Sequence, residues 1–510
     1  MEDCSLCKWL LLARPSLSSI QVARYEAGMV AGKDRDQQKE GCKDHGNAEL
    51  TQLEDPDSVG VRHKGTYCAR DRGDRIPDRS VREVKRDHRG GQRKMSRPRH
   101  GFLSEYFTGV AAKTLSAVEA DPVKSNQHEF NGSNPLIKIF GEAGTERHPF
   151  QATMLYLDEN GDEPVVASSW VTWYDARAKS AARTGRSEHR LYFPTTQVSQ
   201  CASAGDVLFI ARTPDDHVLV IIAEAASTIS TQLQWLFGLT DLAHPGFSVR
   251  AELETEQDRL GFAASIVLEQ IGIVTDLSDE TYLDEMLRRF GPAFPKTKDF
   301  SAYARETLPD VRPMADGADQ TLMAWMEREE VLFRTLEKHL LGERLRQGFL
   351  REDDPDVDGF LSFSLSVQNR RKSRAGSALE NHVQVILGDL EVRHSRGVVT
   401  ERGNRPDFLF PGGIEYRDSS FPEESLTMLG AKTTAKDRWR QVTKEADRIN
   451  LKHLLTLEPA ISEKQTDQMR DSNVQLVVPK PLHRDFTLAQ QAWLMNFADF
   501  ISLVRVRQGA

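Results

Sequence analysis

Cysteine is scarce in this chain. Five cysteines in 510 residues are too few for a disulfide framework and point to a reducing compartment. Long hydrophobic runs are missing as well. KWLLLA (8–13) and HVLVIIA (217–223) fall short of a signal-peptide core and far short of the ~20 apolar residues of a membrane span. Nor is there an excess of positive charge. Lys and Arg number 67 against 76 Asp and Glu, a formal net charge of −9, so any nucleic-acid binding must rest on local basic patches. From these absences the chain reads as soluble and cytoplasmic. Cys4-x-x-Cys7 and Cys42-x-x-His45 have the spacing of zinc ligands, but they lie in weakly apolar, unpatterned sequence, which argues for chance spacing.

What is present divides the chain. Gly32 to Lys94 is dominated by Asp, Arg, Lys, Gly and Gln with few clustered apolar residues. Such a stretch cannot bury enough surface to offset its ordering entropy, so residues 1–94 are expected to be a disordered charged extension. MSRPRHGFLSEYF from Met95 reads like an ordinary start, which makes the preceding stretch an upstream extension by this reading. Peptides from before Lys94 in the native protein would count against it.

From about 101 to 240, short β-like runs follow one another: LIKIF (136–140), ATMLYL (152–157), VVASSWVTWY (165–174), DVLFIA (206–211) and HVLVIIA. Turn residues punctuate them, which predicts a mostly β, barrel-like domain over 95–243. A basic loop with Arg177, Lys179, Arg183, Arg186 and Arg190 lies between the third and fourth runs. A helical connection is expected over 244–290. Helical periodicity takes over from about 247 to 350, where MAWMEREEVLFRTLEKHLLGERLRQGF (323–349) spaces Trp325, Val331, Leu332, Leu336, Leu340 and Leu345 along one face, before acidic REDDPDVDG (351–359) interrupts it.

The block assigned to 291–510 alternates in type. Ala378 to Leu390 reads as a helix, RPDFLFP (405–411) and SLTMLGAK (425–432) as strands, Lys436 to Ile449 as a helix, and HLLTL (453–457) and VQLVVP (474–479) as further strands. Metal-dependent phosphodiester hydrolysis needs carboxylates on rigid backbone and an ammonium near the developing charge. Asp407, after Pro406 on one strand, and Lys432, 25 residues further on at the end of the next, supply one of each. The layout is that of a PD-(D/E)XK nuclease with a departure: Gly430 stands where the second acid is usually found. A replacement can come from Glu445, which flanks the stripe Trp439, Val442, Ala446 and Ile449 and is therefore turned toward the sheet. On composition alone, GAKTTAKDRWRQVTKEAD (430–447) is a solvated helix face.

Resemblance alters that balance. NRRKSRAGSALE (369–380), RPDFLFPGG (405–413), GAKTTAKDRWRQVTKEADRI (430–449) and VQLVVP closely resemble, in order and spacing, the EcoRII family of type II restriction endonucleases. The likeness is strongest from about 360 to 485 and weakens toward the β domain. It implies a multi-domain α/β protein: a restriction-endonuclease-like α/β/α core with a mixed sheet, preceded by a B3-like DNA-binding pseudobarrel and a helical connection. It implies Mg²⁺ and a permuted active site of Asp407, Lys432 and Glu445, with Glu380 associated, and Asp407 and Glu445 as the metal ligands. Lys436, Asp437 and Arg438 fall on the element implicated in reading C·G pairs, where an Arg can offer a fork to guanine. Arg370, Arg371, Lys372 and Arg374 precede the Glu380 helix as candidate phosphate and base contacts. Arg186, Glu188 and Arg190 match the basic-acidic reading element of the N-terminal domain, with a solvated loop as the alternative.

The same resemblance implies a homodimer acting on double-stranded DNA at 5′-CCWGG, with the central bases flipped out, an N-terminal domain binding a second copy of the site, and a cognate DNA methyltransferase as genetic partner only. Two other readings stand beside it. One is a DNA-binding regulator whose nuclease site has decayed, against which the intact Asp407, Lys432 and Glu445 argue. The other is covalent chemistry through Tyr416, more simply a packed loop residue.

Overall fold

DVLFIA and HVLVIIA are apolar on both faces, and in the computed structural model they lie inside a sheet. The structure describes residues 100–509 except 122–127, 131–132, 145, 162, 181–184, 244, 352–353 and the Asp437 side chain. The expectations for residues 1–94, both Cys-x-x pairs and the Asp437 side chain lie outside the described residues. The N-terminal sheet has seven strands in the order β4-β3-β2-β6-β5-β1-β7. They are β1 Gly109–Thr114, β2 His148–Leu157, β3 Val165–Asp175, β4 His189–Tyr192, β5 Val207–Arg212, β6 Val218–Ala223 and β7 Ser248–Arg250. β2 and β6 pair in parallel, and the other pairs are antiparallel. Every residue of β6 is buried, because its alternate side chains enter two different cores. Val218, Val220 and Ile222 face one, while Leu219, Ile221 and Ala223 face the other, against α1 (Thr228–Leu236) and α2 (Phe262–Gln270). That two-sided burial is what a continuous apolar run in a sheet means.

One predicted strand is not a strand. LIKIF forms a 3₁₀ turn, Asn134–Leu136, running into a helical turn, Ile137–Phe140. Pro135 sets the first turn and Gly141, at φ +81°, ends it. Leu136 and Ile139, spaced by three, are the buried pair.

The helical region contains α3 (Leu283–Phe290), α4 (Thr297–Glu306) and the long α5 (Ala318–Gln347), joined through a hairpin, β8 (Leu350–Arg351) and β9 (Asp354–Pro355), to α6 (Val357–Asp389). α6 starts some twenty residues before the predicted Ala378, capped by Asp356, whose carboxylate accepts from Gly359 N at 3.0 Å. The segment with Arg370 to Arg374 is therefore part of the Glu380 helix and not a lead-in to it.

The C-terminal sheet has the order β10-β11-β12-β13-β14: β10 Ser395–Arg396, β11 Phe408–Phe410, β12 Thr427–Ala431, β13 Lys452–Leu455 and β14 Val474–Val477. β10, β11 and β12 are antiparallel neighbours, whereas β12, β13 and β14 run parallel. α6 covers it on one side with Leu379, Val383, Ile386 and Leu387, and α9 (Phe497–Arg507) adds Phe497, Phe500 and Val504 to the same core. The predicted helix over 436–449 is shorter: a 3₁₀ turn, Lys436–Arg438, runs into α7, Trp439–Val442, and the chain then leaves the helix. Ala446 has φ +50°, a left-handed conformation that no helix contains. α8 (Glu463–Asp471) connects β13 to β14.

Candidate active site

Asp407 directly precedes β11 and Lys432 directly follows β12, so the antiparallel pairing of those strands brings them side by side. Lys432 Nζ donates to Asp407 Oδ2 at 2.8 Å, and the Ala431 amide donates to the same oxygen at 2.7 Å. The pair is largely buried, Asp407 12% and Lys432 21% exposed at the side chain. Glu445 joins them from beyond α7. Its Oε2 is buried and accepts no hydrogen bond among the described residues. Burial first, and then the charge of Asp407, push its carboxyl up to about 7, while Lys432 and Lys452 act the other way.

The sequence's departure at position 430 has a steric cause. A Cβ on Gly430 would meet Val442 Cγ2 at 2.9 Å, so α7 lies too close for an acid two residues before the lysine. Val442, fully buried, fills the space a side chain at 430 would need. The turn that follows α7 brings the Glu445 carboxylate to the Asp407–Lys432 pair instead.

Glu380 is held one strand away. Arg396 on β10 donates to its Oε2 at 2.7 and 3.2 Å, and to Asn381 Oδ1 at 2.9 Å. Arg396 pairs in register with Phe408, the residue after Asp407. Glu380 thus reaches the site's edge through an arginine that the sequence reading did not single out.

The expected DNA contacts fall into two groups. Arg438 and Lys372 are exposed. Arg370 is engaged, its guanidinium 4.2 Å from the Phe294 ring. Arg371 and Arg374 turn inward: Arg371 donates to both oxygens of Glu337 at 2.8–2.9 Å, and Arg374, 7% exposed, pairs with Glu329 and Glu330 on α5. Their spacing on α6 places them against α5, whose buried face is acidic. Lys436 Nζ donates to the Gly161 carbonyl in the β2–β3 loop at 2.8 Å. Below it Glu458, buried, accepts from the Ala435 and Lys436 amides and from Gln232 Nε2 of α1 at 2.8 Å. Glu458 is a carboxylate the sequence reading missed, because nothing in a short strand-to-turn passage marks it as buried. In the N-terminal domain Arg186 is exposed, while Glu188 bridges Arg177 at 2.5 Å and Arg190 at 2.7 Å, which holds its carboxyl below the usual range. Tyr416 is buried and donates to Glu401 at 2.6 and 2.8 Å. Burial and that carboxylate raise its pKa, the reverse of what a nucleophilic phenolate needs.

Two carboxylates with one oxygen unpartnered suit a hard cation. Among the described residues no group of three His, Cys, Asp or Glu side chains converges.

A mixed sheet with a carboxylate and a lysine on adjacent strand ends makes the C-terminal block an α/β core of the restriction-endonuclease kind. Residues 333–501 match the family described as EcoRII C terminal. Over 210 residues the chain is 40% identical to the type II restriction enzyme EcoRII of Escherichia coli, an alignment covering 41% of this chain and 50% of that protein. Over 148 residues it is 24% identical to the type II restriction enzyme SsoII of Shigella sonnei, covering 27% of this chain and 47% of that one. The chain thus spans about half the length of the curated relatives it matches. Metal-depleted Ecl18kI with uncleaved, modified DNA aligns with a TM-score of 0.37 at 18% identity, over 45% of this chain and 83% of that one. The PspGI–substrate DNA complex aligns with a TM-score of 0.35 at 16% identity, over 42% of this chain and 95% of that one. Among the described residues no helix is long and apolar enough to cross a membrane.

Proposed function

We propose that the protein is a type II site-specific deoxyribonuclease of a restriction–modification system, hydrolysing phosphodiester bonds of double-stranded DNA with Mg²⁺ at or near 5′-CCWGG. The observation that carries the reading is the convergence of Asp407, Lys432 and the unpartnered Glu445 oxygen at adjacent strand ends. Asp407 and Glu445 would hold the metal, which when bound supplies Lewis-acid polarisation of the phosphate and a water of lowered pKa. Lys432, now paired with Asp407, is placed to offer its ammonium to the non-bridging phosphate oxygens as charge develops. The Ala431 amide, donating to the same oxygen, would keep Asp407 oriented were the lysine to turn to the phosphate.

Reading of the C·G pairs is assigned to Lys436, Asp437 and Arg438, with Lys372 and Arg186 as exposed cations for DNA. Arg190 and Glu188 contribute to DNA binding by the N-terminal domain, for which a B3-like pseudobarrel and a second copy of the site are proposed. A role in restraining cleavage is supported by Lys436 and Glu458, both bonded to N-terminal residues. A homodimer matches the near-palindromic site, a cytoplasmic location follows from the substrate, and the partner methyltransferase is genetic only.

The test is digestion of a sequenced plasmid by the full-length protein in Mg²⁺ and, separately, in EDTA. Discrete metal-dependent fragments ending at CCWGG are expected, with Lys432→Ala abolishing cleavage while retaining DNA binding. Binding without nicking would instead make the chain a DNA-binding regulator.

A further inference from the structure

Glu445 lies outside any helix, in a turn whose next residue, Ala446, is left-handed at φ +50°. A carboxylate on such a turn is only as well placed as the turn itself, and one lysine ties the turn down. Lys452, first residue of β13, is 6% exposed, unusual burial for this residue type. Its ammonium donates to the Ala446 carbonyl at 2.6 Å and to the Ile449 carbonyl. These two carbonyls bracket the turn immediately after Glu445. Lys452 is itself fixed by the sheet: its amide donates to the Asn473 carbonyl at 2.9 Å, and β13 runs in register beside β12, the strand that ends at Lys432. The other side of the turn is held from the Asp407 segment, where Asn404 Nδ2 donates to the Lys444 carbonyl at 2.6 Å. Glu445 is therefore clamped between β13, the neighbour of the Lys432 strand, and the segment that leads into Asp407. An uncharged side chain of similar length would fill the same space, so packing alone does not account for a buried ammonium. Holding the Ala446 carbonyl, which also accepts from the Ile449 amide at 2.9 Å, together with the Ile449 carbonyl does.

We infer that Lys452 is a positioning residue that sets the Glu445 carboxylate for metal binding, an inference resting on the nuclease reading above. Residues that orient metal ligands from behind typically change metal affinity or activity by about 10–100-fold when lost. Mn²⁺ binding to the full-length protein, followed by electron paramagnetic resonance, should weaken in Lys452→Met by roughly that factor. Single-turnover cleavage should fall with it, while DNA affinity measured in EDTA and the melting temperature stay near wild type. A general structural defect would lower all of them together. If Lys452→Met does not fold, Lys452→Gln, uncharged but able to reach one carbonyl, is read by the same criterion. Wild-type Mn²⁺ affinity in the folded variant overturns the inference. A wild-type protein that neither binds Mn²⁺ nor cleaves overturns the nuclease reading, and this inference with it.

Discussion

Glu445→Gln should make the metal-free protein more stable at pH 8 while removing the proposed nuclease activity. The folded state raises the Glu445 carboxyl from 4.5 to about 7, through burial and the charge of Asp407. A raised carboxyl binds its proton more tightly folded than unfolded. The cost of ionising it is absent below pH 4.5, grows as pH climbs, and is complete above pH 7. At about 1.4 kcal/mol per pH unit the ceiling is about 3 kcal/mol. Glu445 is only half-buried, and solvent screening cuts this to about 1–2 kcal/mol. Glutamine keeps the shape and discards the charge, so thermal unfolding in EDTA at pH 8 should move up by roughly 2–8 °C, taking about 2–4 °C per kcal/mol for a unit of 150–250 residues. At pH 4.5 the two proteins should melt together. Adding Mg²⁺ should raise the wild-type transition and leave that of the variant in place, since a metal that binds only the folded state stabilises it by mass action. A variant that melts at or below wild type at pH 8 would refute the account of Glu445 as an ionised carboxylate held in place at a cost.

Two further substitutions test the interior. Arg374→Met leaves Glu330 with Arg334 and Glu329 with His382 but takes a buried guanidinium from both, and should cost up to about 3–5 kcal/mol, read as a lowered denaturation midpoint. A protein that melts like wild type and loses only DNA affinity would place Arg374 on the DNA instead. His453, fully buried on β13 with its ring 5.1 Å from that of Phe500, has its pKa pushed down to about 4, by burial first and then by Arg507. A depressed base contributes stability that is complete above pH 6.5 and is lost as pH falls toward 4, by up to about 3 kcal/mol. His453→Leu should flatten that acid limb in urea titrations at pH 4 and 6.5. An unchanged slope would remove His453 from the account.

What could be read from the sequence depended on whether burial and hydrophobicity coincided. β2, β3, β5 and β6 were legible because apolar side chains fill both cores flanking the sheet. LIKIF was not, since five residues with apolar ends satisfy a strand and one helical turn equally. The part of α6 before Ala378 was hidden for another reason: its buried positions are Ser364, Val367 and Arg374, and Arg374 pairs with the buried carboxylates of α5. A buried ion network looks like a surface in sequence. The same blindness covers Lys452 and Glu458.

The turn after α7 shows how a wrong element boundary can still deliver a right neighbour. Trp439, Val442, Ala446 and Ile449 are all buried and continue a helical spacing, so the helix was extended through residues that are not helical. Glu445 nevertheless lies against Asp407 and Lys432, because the apolar residues around it anchor the turn to the same core. Gly430 and Val442 complete the logic. A glycine with a valine methyl 2.9 Å from where its Cβ would stand forbids the acid expected on β12. The helix supplying that valine is followed, three residues on, by the glutamate that replaces it. Loss of one acid and gain of the other are thus parts of one packing arrangement, and Gly430→Asp should not restore a conventional site: the added side chain would have to displace α7, and Glu445 with it.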